Sequence, residues 1–278
     1  CKGTYFFLGL IQVTSSDYNF SKHGDIAFVP TMGNLHEGHL NLIKEAKLRS
    51  CFVVVSIFIN PLQFNDANDL NNYPKSIDTD INLLEIAGCD LVFLPDESIL
   101  HDIDSIKASD QSNILCGKSR PGHFDGVLTI VNRLFNIINP KIAFFGLKDY
   151  QQFILIKNYA FEHFSDLLII GVPTSRNIAG LALSSRNNLL STEELSLASN
   201  IYKELYKIKT NFSLNNLDLL ANEAKQNLTM LGFNVDYLDY LDAFTLDEVT
   251  SSTSTIIIAI AVYLGEIRLI DNILVNEV

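Results

Sequence analysis

Two hydrophobic patterns alternate along the chain. Short runs that are apolar at nearly every position occur at 26–29, 52–58 and 91–94 and are rich in Val, Ile and Phe. Between them, at about 40–49 and 77–87, apolar residues recur every three or four positions. The first pattern predicts strands buried on both faces and the second predicts helices packed on them, which together mean a parallel sheet with crossover connections. The alternation continues with a helix over 122–138, where Val127, Ile130, Val131, Leu134, Ile137 and Ile138 share a face, ended by Pro140. A strand at 141–146, a helix at 150–161 and a strand at 167–172 follow. Beyond Pro173 the order changes to two helices, 192–211 and 217–231, then β-rich runs at 235–241, 255–263 and 267–270. The expected fold class is therefore α/β: a Rossmann-like parallel sheet with helices on both faces over residues 1–174, plus a smaller α+β C-terminal domain over 175–278.

With 278 residues, 47% of them apolar and 19% charged, the chain has ample core and is not of a disordered class. The net charge of −12 argues against nucleic-acid binding and makes any local group of Lys and Arg informative. The longest apolar runs are far shorter than the roughly 20 residues of a membrane-spanning helix. The apolar patch at 4–11 follows a single Lys2 and precedes no small-residue cleavage site, so a signal peptide is not expected. Cys1, Cys51, Cys89 and Cys116 form no C-x-x-C pair, which reads as small buried thiols in a reduced, cytoplasmic protein.

Candidate chemistry collects where strands end. The run Pro30-Thr31-Met32-Gly33-Asn34-Leu35-His36-Glu37-Gly38-His39 passes from a strand through a Gly-bearing turn into a helix, a place where backbone N–H groups and the positive helix end receive phosphate. Histidines three apart share a face of the first turn. Each imidazole can donate to phosphate oxygens, or change protonation near neutral pH as charge builds on leaving pyrophosphate. A zinc site is the rival for His-x-x-His, but no nearby Cys or third His supports it.

Further segments carry polar chemistry. Asn60-Pro61-Leu62-Gln63-Phe64 places an amide at a strand end. In Tyr73-Pro74-Lys75-Ser76-Ile77-Asp78-Thr79-Asp80, Ser76 or Asp78 suits a helix cap and Asp80 a metal-side carboxylate. Arg120-Pro121-Gly122-His123-Phe124-Asp125-Gly126 offers glycines for close backbone approach, with Arg120 suited to phosphates or to holding the loop and His123 to either catalysis or a turn. In Gly146-Leu147-Lys148-Asp149, Lys148 supplies a point charge and Asp149 a ligand for Mg²⁺ or a ribose hydroxyl, while Gln152 lies one turn further on the same side. Leu183-Ser184-Ser185-Arg186-Asn187 adds hydroxyls and a guanidinium suited to a triphosphate.

Taken in order, these segments resemble the pantothenate synthetase family, within the adenylate-forming nucleotidyltransferases that share H-x-G-H. The resemblance implies ATP-dependent ligation of pantoate to β-alanine through a pantoyl adenylate, with Mg²⁺, in a homodimer. It implies catalytic roles for His36, His39 (as proton donor), Lys148 and Arg186. ATP contacts are implied for Met32, Gly33, Asn34, Leu35, His36, Glu37, Gly38 and His39, for Gly146, Leu147, Lys148 and Asp149, and for Ser175, Leu183, Ser184, Ser185 and Arg186. Gln63 and Gln152 become substrate-binding, Asp149 the metal-side residue, the first domain the ATP- and pantoate-binding one, and the second a lid. The chain departs from the family pattern at Leu147, Asn177 and Ala179, where acidic residues are usual. The alternatives are an adenylyltransferase of the same fold with another acceptor, and a nucleotide-binding module without turnover.

Overall fold

The computed structural model describes residues 9–50 and 52–276. Strands and helices alternate as β1 (Ile11–Val13), β2 (Ile26–Thr31), α1 (Glu37–Arg49), β3 (Phe52–Ile57), α2 (Ala67–Asn71), α3 (Ile77–Ile86) and β4 (Leu91–Phe93). They continue as α4 (Leu115–Ser119), α5 (His123–Ile138), β5 (Ile142–Gly146), α6 (Tyr150–His163) and β6 (Leu168–Val172). The last elements are α7 (Thr192–Asn211), α8 (Leu217–Met230), β7 (Asn234–Asp242), β8 (Thr255–Leu264) and β9 (Ile267–Asn276).

β1 to β6 form one parallel sheet in the order β1-β4-β3-β2-β5-β6. Its central strands are apolar at nearly every position because both faces are covered, with polar Thr31 and Ser56 only near the carboxyl ends of β2 and β3. Ile26, Phe28 and Val54 pack into a core shared with α5 and α6, while Ala27, Val29, Val53, Val55 and Ile57 point into a second core against α1 and α3. The chain adds strands outward from β2 to β4 on one side, then returns to place β5 on the other side of β2. That reversal opens a crevice at the carboxyl ends of β2 and β5, where open α/β sheets bind ligands. β7, β8 and β9 form an antiparallel sheet whose apolar face packs with α7 and α8 in a third core, although Ile257 of β8 joins the first.

The periodic reading of 40–49 starts the helix too late. α1 begins at Glu37 because His36 and His39 cap it reciprocally, and these polar residues interrupt the apolar spacing rather than the helix. β9 runs six residues past its expected end: Asp271 and Asn272 break the apolar pattern but are buried by partners elsewhere in the fold. β1 has no counterpart in the expected pattern, because three residues paired to β4 at the sheet edge leave no periodic signal. Cys89 is buried, but Cys116 is only half-buried, beside Tyr237 and Arg268. Cys1, Cys51 and most of the 4–11 patch lie outside the described residues. No helix among the described residues is long and apolar enough to cross a membrane.

Candidate active site

The crevice holds a pocket of about 260 Å³, and a larger cavity of about 580 Å³ between the parallel sheet and the β7–β9 unit shares Arg120, Lys148, Asp149, Gln152 and Arg186 with it as lining. Met32, His36, Gly38 and His39 line the pocket from the β2 side, and Gly146, Lys148, Asp149 and Gln152 from the β5 side. Gln63 reaches it from the end of β3, and Ser175, Leu183, Ser184, Ser185 and Arg186 close it from beyond β6. Gly33, Asn34, Leu35, Glu37 and Leu147 do not line it. Leu35 is a core residue, Glu37 is exposed, and Leu147 packs over Gly171. Asn177 instead accepts the Leu181 N–H through its side chain to hold a turn, and Ala179 is exposed outside the pocket, so none of the three departures from the family pattern lines it.

The helix start fixes both histidines. His36 Nδ1 accepts the Gly38 N–H (3.1 Å), and His39 Nδ1 accepts the His36 N–H (3.3 Å). A Cβ at Gly38 would lie 2.8 Å from His36 Cε1, so only glycine lets that ring fold over the helix start. Because both Nδ1 atoms accept, the proton of each neutral ring sits on Nε2. The ring centroids are 4.2 Å apart. Burial, then the His36 charge, lowers His39 to about 3; burial, then Lys148, lowers His36 to about 4. This corrects the expectation of imidazoles titrating near neutral pH: at pH 7 the pair is neutral, and each ring keeps an Nε2–H able to donate.

Asp80 is not a metal-side carboxylate. It is fully buried under the turn and accepts the Asn34 N–H (2.9 Å), the Leu35 N–H (2.8 Å) and the Ser76 hydroxyl (3.1 Å). The Ser76 side chain therefore serves Asp80 rather than capping α3, whose N-cap has no side-chain hydrogen bond.

Buried Asn60 orients Gln63. Its Nδ2 donates to Gln63 Oε1 (3.0 Å) and to the Gly126 carbonyl (3.0 Å), which leaves the Gln63 amide NH₂ to donate. A side chain at Gly126 would run into the Leu62 carbonyl, so this glycine does serve close approach, whereas Gly122 has open space and is needed for its φ of +77°. His123 Nδ1 contacts the Gln63 carbonyl (2.7 Å) and its Nε2 contacts Arg120 (3.2 Å), so it holds the loop, and Arg120 faces both cavities. Gln151 is tied to Cys116, Gln111 and Ile114, leaving Gln152 as the α6 amide on the pocket.

Contacts absent from the sequence reading surround the serine–arginine loop. Arg186 pairs with Asp69 of α2 at 3.2 Å, and Tyr73, its hydroxyl pKa raised by burial, lines the pocket together with Ser185. The only local signal is the polar α2 segment, which does not name its partner. Lys148 lies 3.5 Å from Asp149, the one carboxylate lining the pocket among the described residues. No group of three His, Cys, Asp or Glu among the described residues forms a ready metal cluster. A hard cation already carried on phosphates needs only one or two protein carboxylates, and Asp149 fits that requirement.

A model of the pantoate-beta-alanine ligase family matches residues 10–274. The chain belongs to that family. It is 46% identical over 263 residues to the pantoate-beta-alanine ligase of Schizosaccharomyces pombe, covering 92% of this chain and 93% of that protein. It is 44% identical to the pantothenate synthetase of Aeromonas hydrophila, with 89% of each chain covered. The family fold is also found in solved structures. Pantothenate synthetase from Thermus thermophilus superposes with a TM-score of 0.88 at 34% identity, over 95% of this chain and 99% of that one. The Francisella tularensis ligase, complexed with beta-gamma ATP and beta-alanine, gives 0.80 at 36% identity, over 95% and 97%.

Acid sensitivity follows from the buried imidazoles. His36, His39 and His123 (lowered to about 4 by burial, then Arg120) stay neutral in the folded chain, whereas unfolded histidine takes up a proton near 6.5. The unfolded state then binds more protons, so stability present above pH 6.5 is lost as pH falls toward 4. The maximal slope is about 1.4 kcal/mol per pH unit for each histidine. Urea midpoints are expected to fall between pH 7 and 5, with a shallower fall in His123→Asn; identical slopes in the two proteins would remove His123 from this account.

Proposed function

We propose that the chain joins pantoate to β-alanine with ATP in two steps at this pocket. The observation that carries the reading is the convergence on one crevice of two Nε2–H donors, Lys148 and the Ser184–Arg186 hydroxyls and guanidinium, beside the amides of Gln63 and Gln152. In the first step a pantoate carboxylate oxygen attacks the α-phosphorus and pyrophosphate leaves. A carboxylate needs no general base, so the protein's work is to orient it and neutralise leaving-group charge. His36 and His39 do this as neutral donors, together with Lys148 and Arg186; Arg186 exchanges Asp69 for phosphate. The proton-donor role implied for His39 is thereby replaced by hydrogen-bond donation. The Gln63 NH₂ and Gln152 hold pantoate.

In the second step the neutral amine of β-alanine attacks the acyl carbon, AMP leaves with the carboxylate oxygen it gained, and the amine releases a proton. The mixed anhydride must be kept from water, and residues 175–278, bearing the Ser184–Arg186 loop, act as the lid. Mg²⁺ arriving on the phosphates would be held by Asp149 and would spread the pyrophosphate charge. The free thiols Cys89 and Cys116 suit a cytoplasmic setting, and a homodimer completes the reading.

Purified protein is expected to release pyrophosphate only with ATP, Mg²⁺ and pantoate together, and to form AMP and pantothenate once β-alanine is added. A folded, ATP-binding protein that releases none under these conditions overturns the reading.

A further inference from the structure

Among the described residues, one buried side chain hydrogen-bonds the β7–β9 unit to the Lys148 turn. Asn272 of β9 uses both amide hydrogens on that turn: its Nδ2 donates to the Leu147 carbonyl (2.9 Å) and to the Lys148 carbonyl (2.8 Å). The turn is a single three-residue 3₁₀ step, and Asp149 makes no side-chain cap for α6, so little within the turn itself fixes it. Asn272 is itself held firmly. Its N–H donates to Asp271 Oδ1 (2.7 Å), and its carbonyl accepts from Arg176 Nη2 (3.2 Å). Arg176 grips Asp271 through both nitrogens (2.6 and 2.8 Å) and lies 3.7 Å over the Tyr202 ring of α7. The neighbouring Ser175 lines the pocket and accepts from Asn41 of α1 (2.8 Å).

We propose that Asn272 is a positioning residue that aims Lys148 at the phosphates, so that seating of the β7–β9 unit and alignment of the lysine are one event. This rests on the reading of Lys148 as a phosphate contact. A lysine on four flexible carbons is placed by its backbone, and a displacement of about 1 Å in a reacting group can cost about 100-fold in rate. Asparagine suits the task because it offers two donors to two carbonyls from a single planar group. Aspartate, of the same size, would set a carboxylate against both carbonyl oxygens.

The test compares Asn272→Ala, Asn272→Asp, Lys148→Ala and the Asn272→Ala/Lys148→Ala double variant by pyrophosphate release, with thermal melts of each. Asn272→Ala is expected to raise the KM for ATP about tenfold, with the KM for β-alanine unchanged, and Asn272→Asp to do worse and to melt lower, since its carboxylate is buried against two carbonyls. In the Lys148→Ala background the Asn272 change is expected to add no further loss, because the residue acts through that lysine. An unchanged KM for ATP in folded Asn272→Ala and Asn272→Asp, or losses that multiply in the double variant, overturns the proposal. Full activity of Lys148→Ala alone overturns the phosphate role of Lys148 instead, and is read separately.

Discussion

His39→Ala is expected to lower pyrophosphate release from ATP and pantoate by about 10²–10³-fold while the chain stays folded. The magnitude is that of removing one preorganised donor aimed at charge that develops in the transition state. His39 presents Nε2–H to the pocket because its Nδ1 is occupied by the His36 N–H, and burial keeps the ring neutral. Losing that cap costs about 1 kcal/mol, too little to unfold a domain of this size. His39→Asn separates the two effects, since its amide still donates. Single-turnover release of pyrophosphate with circular-dichroism melts checks the prediction. Turnover within about threefold of the parent in folded His39→Ala would remove this residue from the chemistry. A donor also differs from a proton source in its pH profile: with His39 held neutral, kcat/KM should show no break near pH 6.5 from this residue.

The second large effect is expected at a residue outside the pocket lining. Asp80→Ala strands the buried N–H groups of Asn34 and Leu35, each worth about 1–3 kcal/mol when left unpaired, so a loss of about 3–5 kcal/mol in unfolding free energy is predicted. The same two N–H groups hold the turn that delivers His36 and His39, so activity should fall with stability. Asp80→Asn keeps one accepting oxygen and should lie between the two. The dependence of the remaining activity on Mg²⁺ should be unchanged in both variants. A stable Asp80→Asn protein that needs much more Mg²⁺ would restore the metal-side reading of Asp80 and sink the anchor role.

The contrast between His39 and Asp80 shows how far residue types and spacing lead. His36 and His39 are legible because strand, turn and helix follow one another in sequence, so the chemistry they bring together is local. Asp80 lies far along the chain from the turn it supports, and its local surroundings read equally well as a cap or a metal ligand. Lys148 and the 183–187 loop carry their own chemical signal, but their joining to His36 and His39 depends on β5 pairing with β2 across the sheet. The pair Asp69–Arg186 and the clamp of Asn272 on the Lys148 turn leave no mark in any single segment.

Residue order and type were enough for the α/β class, the run of strands buried on both faces, the helix-rich start of the second unit, and the segments that carry phosphate chemistry. Each rests on short-range rules: side-chain period, helix starts, glycine turns and donor types at strand ends. The strand order with β1 at the edge, the start of α1, the end of β9 and the neutral state of the histidines emerge only in the folded chain. The same holds for which side chains brace the pocket. These depend on pairing, burial and electrostatic fields between residues distant in the chain, and an imidazole at about 3 rather than 6.5 is a property of its surroundings, not of its neighbours in sequence.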